Sequence, residues 1–71
     1  MADSVYKFIE LVGTSSDSWE KAAAAAVNQA TQSVRDLRVA EIVQLDVAIE
    51  NGTIKSYRAK VKLSFKIESK G

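Results

Sequence analysis

From Val5 to Val12 the chain reads VYKFIELV, a β-branched and aromatic run bounded by Gly13-Thr14-Ser15-Ser16, and this pattern predicts a first strand. Both faces carry apolar groups, with Val5, Ile9 and Leu11 on one and Tyr6, Phe8 and Val12 on the other. A strand that is apolar on both sides is covered on both sides. A helix of the same chain supplies one cover; the second has to come from elsewhere.

The helix is announced by Asp17-Ser18-Trp19-Glu20, where Asp17 can cap the first-turn amides and Glu20, three residues on, can reach back. Trp19, Ala22, Ala23, Ala26, Val27, Ala30, Val34 and Leu37 then recur at helical spacing, which predicts a helix to about Arg35. Its buried stripe is mostly Ala, including the unbroken run Ala22 to Ala26. Alanine favours helix and allows close approach to a sheet. It also buries little apolar area, each Å² stabilising by only about 25 cal/mol.

At Arg38 the period changes to two. Val39, Val43, Leu45, Val47 and Ile49 alternate with Ala40, Ile42, Gln44, Asp46 and Ala48, predicting a long second strand. Glu50-Asn51-Gly52-Thr53 turns the chain. A third strand follows from Ile54 to about Glu68, with Tyr57, Ala59, Val61, Leu63, Phe65 and Ile67 opposite Arg58, Lys60, Lys62, Ser64 and Lys66. A two-residue Asn51-Gly52 loop pairs Glu50 with Thr53 and, carried along the ladder, sets Val43, Val47 and Ile49 on the face of Arg58, Lys60 and Lys62. A three-residue loop with Gly52 in the left-handed region, or a bulge, shifts the pairing by one and unites the apolar faces, and is expected instead.

The result is a single α+β domain over residues 1–71 with β-α-β-β order. At 71 residues it belongs to the size range that normally needs disulfides, metals or oligomerisation. It has no Cys and no His, which removes the disulfide route and the commonest transition-metal ligands. Self-association, or a hard cation held by carboxylates, remains. Long strands with long edges, served by one short helix, favour pairing with sister subunits. A net charge of +1 gives no global reason to expect nucleic acid or an anionic membrane as partner. The opening Met1-Ala2-Asp3-Ser4 lacks a basic leader pattern, and no apolar run approaches the ~20 residues of a membrane span, so a cytoplasmic location is expected.

Candidate chemistry is sparse. Without His or Cys, no spacing assembles a base, a nucleophile and an orienting group, and the chain reads as a non-enzyme. The Thr14-Ser15-Ser16-Asp17-Ser18 loop can receive a phosphate at a helix start or simply satisfy local amides. Arg58, Lys60, Lys62 and Lys66 form a basic stripe that can meet anions or pair with Glu41, Asp46 and Glu50 across the sheet or an interface. The same acids can offer oxygen ligands to Ca²⁺ or Mg²⁺, although no calcium-loop spacing is present. Trp19 can stack on a planar ligand or pack the helix end against the sheet.

Several segments together resemble the dodecins. They are Val5-Tyr6-Lys7, Ile9-Glu10-Leu11-Val12-Gly13-Thr14-Ser15, the Ala-rich helix, Leu37-Arg38-Val39-Ala40-Glu41 and Val61-Lys62-Leu63-Ser64-Phe65. The likeness runs nearly the whole chain without gaps. It implies a three-stranded antiparallel sheet partly wrapping one helix, with twelve subunits forming a hollow homododecamer. It also implies a storage or buffering role for flavin, riboflavin or FMN, held in pairs at two-fold interfaces between a Trp early in the second strand and a Gln on the third. The positions matching those two residues are Val39 and Arg58. In the Trp-less branch of the family the implied alternative is an ion such as calcium or a purely structural shell, for which Glu41, Asp46 and Glu50 are candidates on composition alone. The resemblance requires Val39 to face ligand, which simple alternation does not provide, so the second strand is expected to bend or bulge near its start.

Overall fold

A computed structural model describes residues 3–67. The elements run β1 (Tyr6–Ser15), α1 (Trp19–Thr31), β2 (Leu37–Glu50) and β3 (Thr53–Lys66). The strands form one antiparallel sheet in the order β1-β3-β2. The expected β-α-β-β architecture is therefore observed; Glu68, the expected end of the third strand, lies outside the described residues. β3 takes the centre because its odd-numbered side chains Ala59, Val61 and Leu63 are apolar without a break, and all three are buried.

β1 continues three residues past its expected end at Val12. Gly13, Thr14 and Ser15 pair with Ala59, Arg58 and Tyr57. Gly13 is a point of close approach: a Cβ there would run into the Ala22 carbonyl and lie 3.1 Å from the Ala26 amide nitrogen. The small helix stripe and the glycine together let the α1 backbone settle onto the strand. Gly13→Ala is expected to lower stability by about 1–3 kcal/mol through overpacking, read as a shifted midpoint in denaturant unfolding.

The helix cap is Ser18, not Asp17. Ser18 is extended, with φ −164° and ψ 163°, and its Oγ accepts the Lys21 amide at 3.1 Å. Asp17 lies one residue too early and instead binds the Lys21 ammonium at 3.0 Å. Ser15 Oγ accepts the amides of Asp17 and Ser18 at 3.0 and 3.4 Å, so the hydroxyls of this loop satisfy local backbone. The helix stops at Thr31, short of the expected Arg35, where the last turn tightens: the Gln32 and Ser33 amides donate three residues back, to the Gln29 and Ala30 carbonyls, at 3.2 and 3.0 Å. Asp36 then enters the left-handed region at φ 58° and redirects the chain into β2.

The core consists of Ala22, Ala26 and Ala30 against Ala59, Val61 and Leu63, flanked by Ile9, Leu11, Ala23, Val27 and Leu37. Among the described residues only Val61 and Leu63 are large and fully buried. Phe8, Val12, Val39, Leu45 and Ile49 are between 49% and 68% exposed. The radius of gyration is 15.0 Å, against about 11 Å for a compact chain of this length. The two 14-residue strands produce that elongation.

Regular alternation fails along β2. Leu37 pairs with Phe65 but Val39 with Ser64; Ile42 pairs with Val61 but Gln44 with Lys60. Arg38 and Val43 are thus extra residues, and each bulge exchanges the faces that follow. Val39 leaves the face of Leu45 and Val47, which is joined by Ala40 and Ile42; the expected grouping of Val39 with Leu45 and Val47 does not hold, whereas the expected irregularity near the strand start does. At the hairpin, Asn51 and Gly52 take φ 53° and 76° in a two-residue loop that pairs Glu50 with Thr53. A bulge at Lys55 then shifts the register, setting Val47 opposite Tyr57 and Leu45 opposite Ala59. The apolar faces are united by the bulge, and the three-residue loop is not used.

Candidate functional site

α1 covers one side of β1 and β3, and the other side of the sheet is open. Cross-strand rows on that open side are Phe8-Ser64-Val39, Glu10-Lys62-Glu41, Val12-Lys60-Gln44 and Thr14-Arg58-Asp46. At one end Phe8 and Val39 flank the small, buried Ser64. The Lys62 ammonium stands 5.0 Å from the Phe8 ring centroid, within cation-π range. Val39 reaches this face through the Arg38 bulge and is 61% exposed.

Arg58 stands in the last of those rows. Its Nε and one Nη donate to the two Asp46 carboxylate oxygens at 2.8 and 3.1 Å, a bidentate cross-strand pair. The Arg58 hydrogen bond, with Arg58 and Lys60 charge, holds the Asp46 carboxyl below its ordinary value against a smaller opposing effect of desolvation. The same hydrogen bond raises Arg58. A depressed carboxyl favours the folded state above its unfolded titration range, and that contribution disappears as pH falls through the folded value. The pair is solvent-exposed, so its weight in stability is small.

Asp46 is also held from behind. The Trp19 indole N–H donates to the Asp46 carbonyl at 3.0 Å, and the Trp19 ring meets Tyr57 edge-on at 5.0 Å between centroids. Trp19 therefore packs the start of α1 against the sheet, the structural of its two sequence readings.

Val39 and Arg58 are not brought together within one protomer. The six residue steps of β3 from Arg58 to Ser64, the partner of Val39, span about 20 Å. A ring-sized ligand that touches both has to lie between two copies. The acidic candidates are separated as well: Asp46 is committed to Arg58, Glu50 pairs with Lys55 at 3.4 Å, and Glu41 faces Lys62 across the ladder. Among the described residues no three acidic, His or Cys side chains gather into a metal-sized group.

Two hollows were not among the candidates read from sequence. Trp19, Glu20, Ala23, Ile42 and Leu45 line an apolar groove of about 440 Å³ between α1 and the edge strand β2. Lys7, Arg35, Asp36, Phe65 and Lys66 contribute to a second, of about 550 Å³, near the chain ends. Each joins residues distant in sequence, and no local motif announces either. Among the described residues no helix is long and apolar enough to cross a membrane.

Comparison with known proteins places this geometry in context. Residues 5–68 match the family model described as Dodecin. A calcium dodecin of Mycobacterium tuberculosis is 48% identical over 64 residues, spanning 90% of this chain and 90% of its own. The dodecin structure from Streptomyces coelicolor superposes with a TM-score of 0.90 at 34% identity, covering 99% of this chain and 100% of that one. The crystal structure of the M. tuberculosis calcium dodecin, described as calcium-chelating with a novel calcium-binding site, gives a TM-score of 0.81 at 48% identity, covering 96% and 97%.

Proposed function

The chain belongs to the dodecin family, and on that premise we propose that it is a non-catalytic, cytoplasmic subunit of a twelve-membered shell that sequesters a small ligand on the open face of its sheet. One observation carries the reading: a sheet covered on one side only, with Val39 and Arg58 about 20 Å apart on the uncovered side. Sister subunits supply both the missing cover and the second half of any site.

The flavin site implied by the resemblance is altered here. Val39 offers no π-face, and the loss removes a stacking contribution of roughly 0.5–1.5 kcal/mol per contact. Arg58 offers only donors where an amide both gives and accepts. Flavin, whether riboflavin or FMN, is held weakly. A divalent ion is the second reading, favoured by the 48% identity to a calcium dodecin. Since the acids of β2 do not converge within one protomer, Glu41 or Glu50 would coordinate calcium together with groups from a neighbouring copy.

Fluorescence titration with riboflavin and calorimetry with Ca²⁺ separate these readings. Quenching weaker than micromolar is the expected flavin result, and micromolar or tighter quenching would refute the claim that Val39 disables the site. Saturable heat with Ca²⁺ supports the ion reading; its absence at millimolar metal removes it.

A further inference from the structure

We infer that Asp46 sets the charge specificity at Arg58: its carboxylate occupies the guanidinium fork, so this end of the open face accepts an uncharged polar ligand edge and turns away phosphate-bearing ligands. The inference rests on the reading of that face as the ligand site, but its test does not require flavin to bind. Carboxylate and phosphate seek the same paired N–H donors of an arginine. Here the pair from Nε and Nη is already engaged at 2.8 and 3.1 Å. Three of the five guanidinium donors remain for neutral carbonyl oxygens.

Asp46 is well placed to keep the fork. It is the cross-strand partner of Arg58, and its own backbone carbonyl is fixed by the Trp19 indole at 3.0 Å. A carboxylate tethered in this way acts at an effective concentration that a free anion at millimolar levels does not match. Lys60, the next residue of β3 on the same face, also acts on the Asp46 carboxyl. The cross-strand partners of Lys60 are Val12 and Gln44, and Arg58 has Thr14 on its other side, none of them charged. Removing the Asp46 charge leaves a fork and an ammonium adjacent, with no carboxylate in either row. Such a pair is an anion site.

Calorimetric titration with inorganic pyrophosphate tests this on the wild-type assembly, on Asp46→Asn and on Asp46→Asn combined with Arg58→Gln. Asp46→Asn is expected to bind pyrophosphate at least about tenfold more tightly than wild type, as a charge-assisted bidentate contact becomes available. The gain should weaken with added salt and vanish in the double variant. Asp46→Ser, which also lacks the charge, should reproduce the gain and guards against a peculiarity of the amide. Equal affinity in wild type and both single variants, or a gain that survives Arg58→Gln, would overturn the assignment.

Discussion

Val39→Trp is expected to raise riboflavin affinity roughly ten- to a hundredfold, seen as quenching of ligand fluorescence. Each restored stacking contact contributes roughly 0.5–1.5 kcal/mol beyond area burial, and the resemblance implies paired ligands with one such contact from each subunit. One contact for each ligand of the pair, together with the apolar area that the indole covers, reaches that range at about 1.4 kcal/mol per decade. The structure supplies the condition for this gain. Because the Arg38 bulge turns position 39 to the open face, an indole there projects away from α1, leaving the core unstrained. Unchanged quenching in a correctly assembled Val39→Trp protein would show that the pocket is lost for reasons beyond the missing ring.

The second large effect is on assembly. Leu45→Asp is expected to shift the population from the large assembly towards the 7.7 kDa chain and to lower the thermal midpoint. Leu45 is 49% exposed in the isolated subunit, so a carboxylate there remains hydrated. In an assembly that fills the groove between α1 and β2, the same carboxylate is buried without a partner, at a cost of several kcal/mol. The freed subunit then rests on a core in which, among the described residues, Val61 and Leu63 are the only large, fully buried side chains. Gel filtration with light scattering reads the change, and an assembly of unaltered mass would show that the groove faces solvent.

The order of elements and the central role of the third strand were legible because each rests on strong periodicity. Ala59, Val61 and Leu63 alternate with Arg58, Lys60 and Lys62 without interruption, and Ala22, Ala26 and Ala30 fall on one helical stripe. The faces of β2 were harder to read. Its one visible sign of irregularity is Ile42-Val43, two neighbouring large apolar residues where strict alternation allows one. The Arg38 bulge left no such mark, and only the resemblance required Val39 to turn outward. The helix end was masked by Val34 and Leu37, which continue the apolar spacing although Leu37 already belongs to β2. Gly13 looked like punctuation after a strand; its meaning as the seat of the helix backbone depends on a contact with Ala22 that no local pattern encodes.

For the candidate site, sequence supplied positions but not partnerships. Val39 and Arg58 came from the resemblance, and cross-strand pairing was expected for the basic stripe in general. That Asp46, and not Glu41 or Glu50, takes the Arg58 fork follows from the register set by the Lys55 bulge. The further shift at Val43 opposes Glu41 to Lys62, and Glu50 pairs with Lys55 beside the turn, which disperses the acids that composition alone had grouped.

Exposed apolar side chains, an open sheet face and a radius of gyration of 15.0 Å all belong to a subunit completed by its own copies. The solution mass of the wild-type protein, measured by light scattering during gel filtration at micromolar concentration, tests this most directly. Twelve times the 7.7 kDa chain mass is the expected result. A folded 7.7 kDa monomer as the dominant species would contradict it.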